Sequence, residues 1–109
     1  MRHPPDSFQG SLDLLILKSL EHAPNHGFGI ALHIQNISEG LLHVEEGSLY
    51  PALHRLAKNR LISATWRTTE NGRRARYYKL TAAGIKRLRE AQESWHTLSE
   101  GVAKVLRFA

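Results

Sequence analysis

Six residues at helical spacing and a cluster of arginines carry most of the chemistry this chain can do. Ser48, Tyr50, Pro51, His54, Arg55 and Lys58 fall in the segment EEGSLYPALHRLAK. If Leu49, Leu53 and Leu56 turn inward on a helix, Tyr50, Pro51, His54, Arg55 and Lys58 share the outward face. Apart from Pro51, these side chains offer hydrogen-bond donors, Tyr50 and His54 can also accept, and Arg55 and Lys58 are cations. They suit a surface of base edges flanked by phosphates, where arginine makes the commonest specific contact, to guanine, and either cation can neutralise a phosphate. Arg73, Arg74 and Arg76 follow at the tip of a second segment, with Arg67 on its other arm. Arginines on a projecting loop can enter a minor groove or clamp the backbone.

Other chemistries find less support. His22, His26, His33 and His43 lie near one another in sequence, but no HExxH or similar ligand spacing occurs, so no metal site is expected. His26, directly before Gly27, fits the start of a helix better than a ligand set. There is no GxSxG elbow, no phosphate-binding Walker loop and no carboxylate pair at a working spacing. Neither an enzyme nor a cofactor is expected.

The charge distribution agrees. The 109 residues carry a net charge of +5, yet residues 54–89 hold eleven basic side chains against one acidic. The segments on either side are net negative. A field concentrated in one third of the chain attracts a polyanion more than it serves general solubility. With no cysteine, disulfides and thiolate metal sites are excluded. The first residues do not resemble a signal peptide, and no apolar run approaches membrane-spanning length. A cytoplasmic protein with no membrane association is expected.

The elements that must position these residues follow from pattern. Residues 1–9, with Pro4 and Pro5, read as a flexible arm. Gly10 to His22 reads as a strongly apolar helix with Ser11 as its N-cap. A second helix fits Gly27 to Ser38, with Ile30, Ala31, Ile34 and Ile37 on one stripe and Gly40 closing it. Leu41 to Val44 reads as a short strand. Leu49, Ala52, Leu53 and Leu56 stand at i, i+3, i+4 and i+7, and Pro51 places the start of that third helix at Gly47 or Ser48. Ile62 to Tyr78 has strand composition around Asn71-Gly72, read as the two residues of a tight hairpin turn. That register sets Arg67 against Arg76 and Trp66 against Tyr77, with the two aromatics anchoring the hairpin to the body.

Thr81 then caps a helix reaching about Arg107. Its stripe of Ile85, Leu88, Trp95, Leu98, Val102 and Leu106 has too little domain left to cover it. Together with Leu12 and Leu15 of the first helix, it is assigned to a second copy of the chain. Trp95 admits two readings: plain interface core, or, with its symmetry mate, a flat aromatic wall for a planar ligand. The expected architecture is mainly α with a small β-hairpin: a winged helix-turn-helix over residues 10–80 and a C-terminal dimerisation helix over 81–109. A sequence-specific DNA-binding regulator follows. The alternative is a winged-helix protein-interaction module without an operator.

Four segments of the chain resemble the PadR family of bacterial transcriptional regulators. They are GSLDLLILKSL (10–20), HGFGIALHI (26–34), EEGSLYPALHRL (45–56) and RRARYYKLTAAGIKRL (73–88), in the family's order. The short C-terminal portion resembles the compact branch with one long final helix. The resemblance implies a homodimeric repressor on a pseudo-palindromic operator, with positions 48–58 as recognition helix and 72–76 as wing tip. It also implies release by small aromatic effectors in some members, for which Trp95 is the candidate residue here.

Overall fold

The computed structural model describes residues 4–108, with side chains from residue 11 onward. The elements run α1 (Pro4–Ser19), β1 (Asn25–His26), α2 (Gly27–Ile37), α3 (Glu46–Lys58), β2 (Ile62–Thr68), β3 (Arg74–Leu80) and α4 (Ala82–Arg107). The strands form one antiparallel sheet in the order β1-β3-β2. Three helices with a β2–β3 wing make a winged helix-turn-helix, and α4 is the long addition.

The apolar stripe of α3 is the centre of the core. Leu49, Ala52, Leu53 and Leu56 are all 2% exposed or less, packed against Ile16 and Leu17 of α1 and Ile30 and Ile34 of α2. Full burial of one such aliphatic side chain is worth about 1.5–3 kcal/mol, so this stripe holds the helix's outward face in a fixed orientation. His26 caps α2: its Nδ1 accepts from the Gly29 amide at 3.0 Å. Gly40, at φ +81°, closes the helix by donating to the Gln35 carbonyl.

Several boundaries differ from the sequence expectation. Pro4 to Gln9, read as part of an arm, belong to α1, while residues 1–3 lie outside the described residues. A proline at a helix start lacks only an N–H that would be unpaired there anyway. Ser11 therefore lies inside α1 and is not its N-cap. Leu41 to Val44 are not a strand; the short strand is Asn25–His26, which pairs with Tyr78 and Tyr77 of β3. Two residues are too few to show an alternation. Helix α3 begins at Glu46, which puts Pro51 in its second turn and removes the bond the Gly47 carbonyl would otherwise accept. Ile37, assigned to the inner stripe of α2, sits at the helix end and is 71% exposed.

Helix α4 starts where it was expected. The Thr81 hydroxyl accepts from the Gly84 amide at 3.0 Å and donates to the Arg60 carbonyl at 2.7 Å, tying the helix start to the turn between α3 and β2. Gly84 itself is pressed onto the chain before β2, where a Cβ would stand 1.9 Å from the Leu61 carbonyl oxygen. Gly84→Ala should therefore destabilise the fold by about 3 kcal/mol, because backbone would have to move. Gly101→Ala, on the same helix with open space around it, should instead gain up to about 1 kcal/mol. Urea unfolding of the two variants side by side checks both signs.

Beyond its second turn α4 leaves the body. A helix of 26 residues is about 39 Å long, and the molecule measures 56 Å along its longest axis. Leu12 and Leu88, assigned from sequence to a subunit interface, are instead 3% and 2% exposed within the single chain, where α1 and α4 pack together. They need no partner to be covered. Trp95, Leu98, Val102 and Leu106 do stand exposed, as does Ile85, while Leu15 is half-buried.

Candidate nucleic-acid interface

The outward face of α3 is open along its length. Ser48, Tyr50, Pro51, His54 and Lys58 are all exposed. The Tyr50 ring lies along the first turn of α2, so close to Gly27 that a Cβ there would meet its Cε1 at 2.9 Å. Glycine at position 27 thus lets the ring lean on α2 while one edge stays in solvent. The helix-turn-helix pair presents this ring together with His54, one turn further on.

Arg55 is placed differently from the sequence reading. Its guanidinium turns back to α1, with Nη2 at 2.5 Å from Asp13 Oδ1. It ties α3 to α1 instead of projecting with Lys58. Burial pushes the Asp13 carboxyl above its ordinary value of 3.8, and the opposing pull of Arg55, with a weaker one from Arg87, does not cancel that. The folded state therefore holds the Asp13 proton more tightly than the unfolded chain. The resulting stabilisation is present in acid and is lost as pH climbs from 3.8 through the raised folded value. At neutral pH Asp13→Asn should be tolerated. Arg55→Met, which leaves a half-buried carboxylate alone, should cost about 1 kcal/mol, a figure kept low because both side chains are partly solvated. The double variant should recover most of that loss in urea unfolding; a double variant no better than Arg55→Met would refute the coupling.

The wing's register is shifted by one from the expected hairpin. Thr69 and Arg73 close the loop through an amide-to-carbonyl bond of 2.6 Å, leaving Glu70, Asn71 and Gly72 between them. Gly72 adopts a φ of +79°, while Asn71 is not in the left-handed region. This is the three-residue connection that ends in one left-handed residue. The Thr69 hydroxyl also accepts from the Arg73 amide at 3.3 Å, which favours the longer loop.

That single residue moves every cross-strand partner. Arg67 opposes Ala75, not Arg76, and Trp66 opposes Arg76, not Tyr77. The expected like-charge pair does not form. Arg67 instead lays its guanidinium 4.4 Å from the centre of the Tyr77 ring, on the wing face away from Trp66. Tyr78, 7% exposed, anchors the wing in the core, whereas Trp66 is 59% exposed and anchors nothing. Tyr77 also meets the cap of α2, with its ring edge-on to His26 at 5.2 Å.

A groove of about 660 Å³ runs between α3 and the wing. Tyr50, Pro51, Leu53, His54 and Ala57 form one wall, and Trp66, Ala75, Arg76 and Tyr78 the other. Arg74 shares the wing face of Trp66 and Arg76, and Arg73 sits at the loop. Of the residues assigned to nucleic-acid contact, the structure thus groups Tyr50, Pro51 and His54 with Arg76, and with Arg74 by register. Ser48, Lys58 and Arg73 are exposed around this group, while Arg55 and Arg67 point elsewhere. Trp66 and Asp13 are the residues the sequence reading missed.

A helix-turn-helix whose second helix faces a cationic wing across an open groove defines a winged-helix regulator of transcription. The chain belongs to the PadR-like family of transcriptional regulators, whose family model matches residues 16–90. It is 34% identical over 86 residues to a transcriptional regulator of Mycobacterium tuberculosis, covering 79% of each chain. It superposes on a transcriptional regulator from Clostridium thermocellum with a TM-score of 0.81 at 30% identity, covering 91% of this chain and 96% of that one. A PadR-like transcriptional regulator from Bacillus cereus gives 0.79 at 28% identity, with 95% and 99% covered. These homologues are transcriptional regulators, not enzymes, and regulators of this family bind DNA. Among the described residues, no helix is long and apolar enough to cross a membrane.

Proposed function

We propose that the chain is a sequence-specific transcriptional repressor that acts in the cytoplasm as a homodimer on a pseudo-palindromic operator. One observation carries this reading. The basic groove between α3 and the wing sits on the same chain as an α4 whose distal apolar stripe its own body leaves uncovered. Trp95, Leu98 and Val102 are each about half exposed, and Leu106 is 79% exposed. A second copy related by a two-fold axis covers that stripe with its own and presents a second groove. In this arrangement α3 enters the major groove, with Tyr50 and His54 reading or framing bases. Lys58, Arg73, Arg74 and Arg76 neutralise phosphates.

Selection of bound duplexes from a random library tests the proposal. Recovery of an inverted repeat, with half-site centres about one helical turn (roughly 34–36 Å) or slightly more apart, is the expected result. Recovery of no common sequence would leave a protein-interaction module as the better account. Trp95 supports a narrower element of the proposal, a planar aromatic effector bound between the two α4 helices. Quenching of Trp95 emission by such compounds, coupled to release of the duplex, would establish it.

A further inference from the structure

We infer that Trp66 is a DNA-contacting residue that builds, with Arg74 and Arg76, a clamp for the phosphodiester strand passing between α3 and the wing. The inference rests on the DNA-binding reading above and adds to it a residue that composition and motif did not mark. Three observations converge. The first is exposure where burial is the rule: a tryptophan on a strand normally covers core, yet Trp66 keeps 59% of its surface in solvent. The second is position. Trp66 lines the groove opposite Tyr50, Pro51 and His54, above the rung where Ala64 and Tyr78 turn into the body.

The third is charge. The guanidinium carbons of Arg74 and Arg76 stand 5.5 and 5.9 Å from the Trp66 ring centre, both within cation–π range. Two guanidiniums held against one indole concentrate like charge on one face of the wing, an arrangement that favours an arriving anion. Each guanidinium has five N–H donors with which to meet phosphate oxygens while it stays within reach of the ring. The indole N–H is one more donor, and its apolar body suits a deoxyribose. The groove runs between α3 and the wing, so a continuous strand can lie along it. The ring thus acts in two ways: it touches the strand, and it pre-orders two arginines whose side chains would otherwise lose rotamer entropy on binding.

The chain has two tryptophans, so a Trp95→Phe protein reports Trp66 alone. Titrated at low salt with a mixed-sequence duplex, its emission should shift along the same curve as the anisotropy of the labelled duplex. Trp66→Ala should weaken that binding roughly tenfold whatever the sequence, and flatten the dependence of log affinity on log salt by about one unit. Trp66→Phe, which keeps a platform for the arginines, should recover most of the salt dependence. A duplex that binds while Trp66 emission stays still, with Trp66→Ala matching the parent in affinity and salt slope, would overturn the clamp and leave the DNA-binding reading intact. No duplex binding by the parent protein at low salt would overturn both.

Discussion

Alanine at both Arg73 and Arg74 is expected to flatten the plot of log affinity against log salt by roughly two units, since each phosphate contact on duplex DNA contributes about 0.9. The affinity lost should be nearly the same on operator and on unrelated duplex, because phosphate contacts position the protein without reading sequence. Position on the wing makes this a large effect. The two arginines lie at the far end of the hairpin, just beyond Gly72, where neither has a carboxylate partner among the described ion pairs. The contrast with Arg55 sharpens the prediction. Its charge is already met by Asp13, so Arg55→Met should change stability more than the salt slope. A double wing variant with an unchanged slope would take the wing out of the interface.

Leu98→Glu combined with Val102→Glu should convert the protein to a monomer and reduce operator affinity by about 10²–10⁴, the advantage of linking two half-site contacts. Both positions lie on the distal half of α4, 56% and 47% exposed in the single chain. Glutamate there costs little in the isolated subunit, whereas two such pairs facing each other across a two-fold axis bring like charges into an apolar seam. The subunit's own fold should survive, because its core closes at Leu88. Sedimentation at micromolar concentration, paired with thermal unfolding, separates loss of association from loss of fold. A variant that stays dimeric would mean that the copies meet elsewhere.

The sequence was most informative where a period repeats. Leu49, Ala52, Leu53 and Leu56 sketched the inward side of α3 through two full turns, and Thr81 and His26 marked helix starts that the structure confirms at both caps. The wing's existence was legible from Asn71-Gly72, but its register was not. The same dipeptide serves as a two-residue turn or as the end of a three-residue one, and one residue of difference exchanges the faces of the strand. That ambiguity hid Trp66 in the core and set Arg67 against Arg76. With the longer loop, the alternation Trp66–Thr68 facing Arg76–Arg74 marks the aromatic among the arginines.

Long-range pairings were beyond reach for a different reason. Asp13 and Arg55 are 42 residues apart, and nothing in either local pattern points to the other. Likewise, Leu12 and Leu88 read as surplus apolar residues because the sequence does not reveal that α4 returns to α1. A stripe that the body covers and one that it leaves open look alike until the fold divides them at about Ala91.

The central claim, that two copies each set α3 and a wing on one face of a duplex, is met most directly by hydroxyl-radical footprinting on the DNA upstream of the chain's own coding sequence. The account predicts two protected patches on one face of the helix, their centres about one turn or a little more apart. Further protection in the flanking backbone should disappear with alanine at Arg73 and Arg74. A single uninterrupted patch, or uniform cleavage at concentrations where the protein is dimeric, would contradict it.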